Sequence, residues 1–124
     1  MNEETIILLG HGSRRSEANN ILKSIAKIIR SKLLKENVEY AFLELAEPNI
    51  KDVLEKCIDS GSSLIYVIPY FLYSGNHVSR DIPDILNEYS VKYPHITIKI
   101  GGYLGIDERL AELVMEKIET IKSA

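Results

Sequence analysis

The chain has 124 residues and a formal net charge of −3, and 45% of its residues are hydrophobic. Residues 1–124 therefore fit one domain with a real core, without the basic face that nucleic-acid binding requires. The single cysteine, Cys57, excludes an intrachain disulfide framework, no apolar run approaches the roughly 20 residues of a membrane span, and the acidic start is unlike a signal peptide. We expect a cytoplasmic protein with neither membrane nor nucleic acid as partner.

The first half of the sequence alternates strand and helix patterns. A run of β-formers predicts a first strand over residues 5–9, and apolar residues at helical spacing predict a helix over 17–35. The second strand is predicted over 38–44. The second helix begins after Asn49, its expected N-cap, and ends at Gly61.

The second half repeats this alternation. Residues 64–68 form the most β-rich run in the chain and predict the third strand. A ten-residue loop follows, and Asp81 and Pro83 predict the start of the third helix. The fourth strand is predicted over 96–100, and Asp107 is expected to cap a last amphipathic helix.

Four strand–helix units in series predict a single-domain α/β fold, a three-layer α/β/α sandwich with a four-stranded parallel sheet. We expect the strand order 2-1-3-4, because crossovers are right-handed and the chain must reverse direction once. The reversal lies between strands 1 and 3. Open α/β sheets bind ligands in that crevice, beyond the carboxyl ends of the strands.

Two histidines follow the strands on either side of this crevice. His11 comes directly after strand 1 between Gly10 and Gly12, and His77 lies in the predicted loop after strand 3. Imidazole binds divalent transition metals and titrates near neutral pH, so the pair predicts a site that handles a metal ion or protons. The alternative for His11 is a buried ring bonded to a backbone carbonyl.

Polar residues near His11 add to this site. Arg14 and Arg15 precede the first helix, where guanidinium groups and a helix N-terminus favour an anionic ligand. Ser13 lacks the sequence context of a hydrolase nucleophile. Glu44 and Glu47 end strand 2 at the same edge and can hold a cation or accept a proton, although Glu47 is equally well a helix-start charge.

The loop after strand 3 is unusually apolar. Residues 70–73 are three aromatics and a leucine, which predict either a wall for a flat ligand or a dimer interface. Arg80 is interpreted as an anion contact and Asp81 as a helix cap. His95 precedes strand 4 at the opposite end of the sheet and is expected on the surface.

Three segments resemble the motifs of class II tetrapyrrole chelatases. They are Leu-Gly-His-Gly-Ser-Arg at 9–14, Phe-Leu-Glu-Leu-Ala-Glu-Pro at 42–48, and the stretch 69–83 with Pro-Tyr-Phe-Leu at its start and Gly-Asn-His at 75–77. The chain is most similar to short, single-domain CbiX-type sirohydrochlorin cobaltochelatases and their nickelochelatase relatives. The resemblance covers nearly the whole chain. It implies a chelatase-like domain equivalent to one half of the longer two-domain chelatases.

The resemblance implies insertion of Co²⁺ into sirohydrochlorin without ATP, in anaerobic cobalamin biosynthesis. The divalent metal is then a substrate, and no tightly bound cofactor is expected. The resemblance also implies a homodimer with the active site at or near its interface. Ni²⁺, or Fe²⁺ for siroheme, are alternative metals, and a Co/Ni carrier without catalytic activity is an alternative of another class.

The resemblance also implies roles for individual residues. His11 is similar to a metal ligand that accepts a proton, and His77 to the second metal ligand. The positions expected to contact substrate are Glu47, Leu72, Tyr73, Ser74, Gly75, Asn76 and His77. From their chemistry, further support for metal or substrate is expected from Ser13, Arg14, Glu44 and Arg80, with the arginines pairing with carboxylates of the tetrapyrrole.

Overall fold

The structure is a computed structural model that describes residues 3–34, 36–73 and 75–124, without the side chain of His77. Strands and helices alternate along the chain. The strands are β1 (Glu4–Gly10), β2 (Asn37–Phe42), β3 (Leu64–Pro69) and β4 (Thr97–Ile100). The helices are α1 (Ser16–Lys32), α2 (Ile50–Asp59), α3 (Asn76–Lys92) and α4 (Glu108–Lys122).

The four strands form one parallel sheet in the order β2-β1-β3-β4, which confirms the predicted topology. In the register of the sheet, Gly10 at the end of β1 lies beside Phe42 of β2. Leu9 lies beside Pro69 of β3. The carboxyl ends of the three strands therefore meet at one edge, on both sides of the chain reversal.

Side chains alternate between two cores along β1. Leu8 packs with Leu22 and Ala26 of α1 on one face of the sheet. Ile7 and Leu9 pack on the other face in a larger core that contains residues of α2 and α3. Burial of these apolar groups is the main force that holds each layer to the sheet. The predicted three-layer arrangement is therefore confirmed.

The larger core also contains Cys57. Its side chain is buried, as predicted, and burial is the main reason why the pKa of the thiol rises from 9.0 to about 11. The thiol is therefore neutral in the folded chain at ordinary pH.

The helix α4 lies outside both cores. Asp107 caps it as predicted, since its side chain accepts a hydrogen bond from the Arg109 amide at 2.8 Å. The side chain and amide of Arg109 together lower the pKa of Asp107 to about 2. All residues of α4 are exposed except Leu110, which is half-buried. This amphipathic helix thus presents its apolar face to solvent.

The start of α3 differs from the prediction. The helix begins at Asn76, with Gly75 as its N-cap, and Pro83 lies in its interior. Asp81 is therefore inside the helix and is not its cap. The physical reason is tertiary packing, because Val78 already packs against the larger core that holds Ile82, one helical turn further on.

Other boundaries move by smaller amounts. The helix α1 ends at Lys32, with Leu33 as its C-cap, and Lys35 lies outside the described residues. The strand β2 ends at Phe42, two residues earlier than predicted. Within the described part of the chain, none of the helices has the length and apolar character that crossing a membrane requires.

Candidate active site

His11 and Glu44 are brought together by backbone pairing that continues past the ends of β1 and β2. The Leu43 amide donates to the Gly10 carbonyl, and the Glu44 amide donates to the His11 carbonyl, both at 3.0 Å. On the other side of β1, the Tyr70 amide donates to the Leu9 carbonyl at 2.7 Å. The first residues after three strands are therefore held at one edge of the sheet.

The side chains of His11 and Glu44 contact each other at this edge. His11 Nε2 lies 3.1 Å from Glu44 Oε1, and the two side chains are 45% and 59% exposed. The other ring nitrogen, Nδ1, makes a long 3.3 Å contact with the Gly12 carbonyl. An imidazole and a carboxylate that solvent can reach form a pair able to hold a divalent cation or to accept a proton. His11 is therefore not the buried, structural histidine that was its alternative interpretation.

A cleft of about 280 Å³ opens beside His11. Its walls are mostly apolar and come from three parts of the fold, namely the turn after β1, the first part of α1 and the ends of β2 and β3. The lining residues are Gly10, His11, Gly12, Ser13, Ala18, Asn19, Ile21, Leu22, Phe42, Tyr70 and Phe71. Tyr70 and Phe71 thus take the predicted place in an apolar wall.

The α1 side of this cleft was missed by sequence reasoning. Ile21 lines the cleft and is 57% exposed, although it fits the same helical pattern as the buried Leu22. Asn19 lines the cleft as well, from the first turns of α1. In the sequence, Ile21 and Leu22 both belong to one apolar stripe that was expected to face the core. Only the tertiary structure shows that Leu22 is buried and that Ile21 lines the cleft.

Residues 72–73 of the loop after β3 lie apart from this cleft. Leu72 and Tyr73 are largely exposed and do not line it. The loop is joined to the loop after β4, since the Leu104 amide donates to the Phe71 carbonyl at 2.8 Å and the Gly105 amide to the Leu72 carbonyl at 3.0 Å. The chain therefore holds residues 71–72 against a neighbouring loop.

His77 is in the first turn of α3 and not in a loop as predicted. Its backbone follows the same edge of the sheet as His11, because β3 adjoins β1. The side chain of His77 and all of Ser74 lie outside the described residues. Gly75 and Asn76, at the start of the helix, are exposed.

The remaining candidates differ in their surroundings. Ser13 lies in the cleft, and its hydroxyl accepts a hydrogen bond from the Arg15 amide at 3.1 Å. Arg14 and Glu47 are exposed near the edge. Arg80 is exposed within α3 and does not belong to the loop in which it was predicted.

His11 lines the cleft, and Glu44 contacts His11 without lining the cleft itself. Among residues 3–34, 36–73 and 75–124, with His77 left aside, no group of three or more His, Cys, Asp or Glu side chains is arranged to hold a metal ion. The pair supplies one nitrogen and one oxygen donor, so further ligands for a cation would come from elsewhere.

Comparison with known proteins gives one family for nearly the whole chain. The CbiX family model matches residues 5–121. The chain is 36% identical over 114 residues to the chloroplastic sirohydrochlorin ferrochelatase of Arabidopsis thaliana, covering 92% of this chain and 51% of that protein. It is 32% identical over 116 residues to the sirohydrochlorin cobaltochelatase of Sulfurisphaera tokodaii, covering 94% and 92%.

Solved structures agree with this result. The chain is similar to the cobalt complex of the sirohydrochlorin chelatase SirB from Bacillus subtilis subspecies spizizenii, with a TM-score of 0.88 and 31% identity. That similarity covers 97% of this chain and 51% of the other. The chain thus spans about half the length of several relatives that it matches. By sequence and by fold, it belongs to the CbiX family.

Proposed function

We propose that this chain is a sirohydrochlorin chelatase that inserts Co²⁺ into the tetrapyrrole without ATP. The observation that carries this proposal is the His11–Glu44 pair, 3.1 Å apart beside an apolar cleft. The names of the Arabidopsis and Sulfurisphaera relatives support sirohydrochlorin as substrate. The metal is itself a substrate, and we expect no tightly bound cofactor.

The chemistry of insertion fits this pair. A divalent metal replaces the two pyrrole N–H protons of sirohydrochlorin, so each turnover yields the metallated macrocycle and two protons. We propose that His11 and Glu44 first hold the cation as it loses water, and that His11, freed when the cation passes to the macrocycle, accepts one of the two protons while the other passes to solvent. An unprotonated imidazole nitrogen suits both steps, because it can bind the cation or take up the proton.

We propose His77 as a second metal ligand. Its position in the first turn of α3, at the edge of the sheet that carries His11, supports this role. For substrate contacts we retain the positions expected from the resemblance, which are Glu47, Leu72, Tyr73, Ser74, Gly75, Asn76 and His77. Arg14 and Arg80, both exposed, are proposed partners for the carboxylates of the tetrapyrrole.

We also propose that the active form is a homodimer in the cytoplasm, in which each chain acts as one domain. The cleft of about 280 Å³ is below the roughly 300–1,000 Å³ of pockets that enclose drug-sized ligands, so a tetrapyrrole would extend beyond it. The exposed apolar face of α4 is available for contact with a second copy. This face includes Leu113, Val114, Ile118 and Ile121.

Iron is the second metal that a specific observation favours. The relative from Arabidopsis is named as a ferrochelatase, whereas the one from Sulfurisphaera is named as a cobaltochelatase. Nitrogen and oxygen donors bind Fe²⁺, Co²⁺ and Ni²⁺ in rising order, so the ligands alone do not select the metal. The proposal of Co²⁺ predicts that cobalt is inserted faster than iron when the two rates are compared under anaerobic conditions.

The decisive experiment follows the absorption spectrum of sirohydrochlorin during metallation. Wild-type protein with Co²⁺ should exceed the uncatalysed rate, and His11→Ala should lose at least about 100-fold of that rate, as expected when a metal-binding general base is removed. His95→Ala is the matched control, because His95 is exposed before β4. A wild-type rate equal to background would overturn the proposal, and metal binding without any rate would identify a carrier.

A further inference from the structure

The side chain of Asn19 forms hydrogen bonds to both backbone polar groups of Ser13. The Ser13 amide donates to Asn19 Oδ1 at 2.9 Å, and Asn19 Nδ2 donates to the Ser13 carbonyl at 2.7 Å. Both distances are those of well-formed hydrogen bonds. One amide side chain therefore fixes the orientation of two successive peptide groups in the turn between β1 and α1.

The side chain of Asn19 bonds to the turn before α1 and not to its own helix. Asn19 lies in the helix α1, which begins at Ser16, and asparagine is a poor residue for a helix interior. Its amide group does not cap its own helix, because the N-cap of α1 is Arg15, which makes no side-chain capping bond. The polar atoms of Asn19 are instead directed back to the residue that lines the cleft beside Gly12.

The turn that Asn19 holds carries His11. At one end of the turn, the His11 carbonyl accepts the Glu44 amide, and at the other end Ser13 is bonded to Asn19. Gly12 joins the two with a φ of +100°, a left-handed conformation in which glycine is favoured. If the bonds to Ser13 were lost, the turn would be free to relax from this conformation, and the His11 ring would move away from Glu44.

We propose that Asn19 is a positioning residue, which acts through Ser13 and Gly12 to hold the His11 imidazole where it can share a cation with Glu44. This inference rests on the proposed metal-handling role of His11. Asn19 itself is assigned no contact with the metal. Its loss should therefore weaken the use of the metal ion more than the use of the tetrapyrrole or the stability of the fold.

The test compares Asn19→Leu and Asn19→Asp with Asn20→Leu. Asn20 is the adjacent residue of α1 and is exposed, which makes it a matched control. Asn19→Leu removes both hydrogen bonds. Asn19→Asp keeps the acceptor for the Ser13 amide but places a second carboxylate oxygen against the Ser13 carbonyl. It therefore tests the two hydrogen bonds to Ser13 if the leucine variant does not fold.

Three quantities are measured for each variant, namely amide hydrogen exchange at Ser13, the KM for Co²⁺ at saturating sirohydrochlorin, and the Kd of Co²⁺ alone by calorimetry. Loss of two hydrogen bonds should raise the KM and Kd for Co²⁺ about tenfold and accelerate exchange at Ser13. Asn20→Leu should match the wild type in all three.

The outcomes separate this inference from the proposed function. If Asn19→Leu exchanges faster at Ser13 but keeps the wild-type KM and Kd for Co²⁺, the positioning role is wrong and the chelatase proposal stands. If the wild type binds Co²⁺ but does not metallate sirohydrochlorin, the chelatase proposal fails, and the Kd values still decide the role of Asn19. If the wild type does not bind Co²⁺ at all, both fail.

Discussion

The carbonyl oxygen of Glu44 lies in the space that a side chain on Gly12 would require. A Cβ atom built on Gly12 would overlap this oxygen far inside van der Waals contact, and the φ of +100° at Gly12 is strained for any other residue. The segments after β1 and β2 therefore touch at their backbones, which brings the side chains of His11 and Glu44 within reach of each other.

Replacement of Gly12 by alanine should separate these two segments. We expect Gly12→Ala to lose about 2 kcal/mol or more of unfolding free energy, from backbone strain and from the overlap with Glu44, and to lose metallation activity with it. Urea denaturation and the rate of metallation measure both effects. Gly102→Ala is the control, because a Cβ atom at Gly102 would meet nothing within 4 Å. A Gly12→Ala variant as stable as the control would contradict the backbone contact.

Neutralisation of Glu44 should weaken the handling of the metal. Glu44→Gln keeps the shape of the side chain but removes the charge that faces His11, so we expect the KM for Co²⁺ to rise by about 10- to 100-fold. Steady-state metallation at varied Co²⁺ concentration measures this change. Glu36→Gln, at an exposed position beside the start of β2, should match the wild type. Equal KM values for the two variants would exclude Glu44 from the site.

The buried thiol of Cys57 should be inert in the folded chain. Because its pKa is about 11, the reactive thiolate is scarce at pH 8, and alkylation by iodoacetamide should run at least about 100-fold slower than in 6 M guanidinium chloride. Mass spectrometry of the alkylated protein over time measures both rates. Rapid alkylation of the folded protein would show that Cys57 is accessible.

The same pKa predicts how stability depends on alkaline pH. The thiol has its ordinary pKa near 9 when the chain is unfolded and a raised pKa when it is folded, so its stabilising contribution is complete below pH 9 and is lost as the pH rises towards 11. Urea denaturation at pH 8 and pH 10.5 should show a smaller loss in Cys57→Ala than in the wild type. An identical loss in both proteins would assign the alkaline destabilisation to other groups.

A charge in the apolar face of α4 should prevent dimerisation. We expect Ile118→Lys to shift the protein from dimer to monomer in light scattering, since a lysine at the centre of an apolar interface would be desolvated without a partner. Glu116→Lys adds the same residue to the same helix on its charged face and should leave the dimer intact. A dimeric Ile118→Lys protein would contradict the assignment of this face to the interface, and a wild-type monomer with full activity would contradict the proposed dimer.

The strand order and the position of His11 follow from the sequence because both depend on local patterns. Strand runs that end in glycine or proline, with helices between them, restrict a parallel sheet to few topologies. The contact between the side chains of His11 and Glu44 is less accessible to such reasoning. The predicted second strand already reached Glu44, and backbone pairing does continue to that residue, but a residue pattern does not show that the two side chains meet.

The start of α3 shows a different difficulty. Asp81 and Pro83 are typical of a helix start, and the prediction relied on them rather than on the apolar residue Val78, which lies closer to the N-terminus. Val78 lies one helical turn before Ile82 and faces the same core. The helical periodicity of α3 therefore already extended to the N-terminal side of Pro83. Asn19 was missed for the opposite reason, because its two bonds to Ser13 give no periodic signal at all.

The two hydrogen bonds between residues 71–72 and residues 104–105 limit how the cleft can open. An outward movement of the loop after β3 would break both hydrogen bonds, or would move the loop after β4 and the start of α4 together with it. A tetrapyrrole is a rigid, disc-shaped molecule. Its entry is therefore easier by displacement of the opposite side of the cleft, where the exposed side chain of Ile21 lies on α1. A spin label on that part of α1 should report a displacement when the tetrapyrrole enters the cleft.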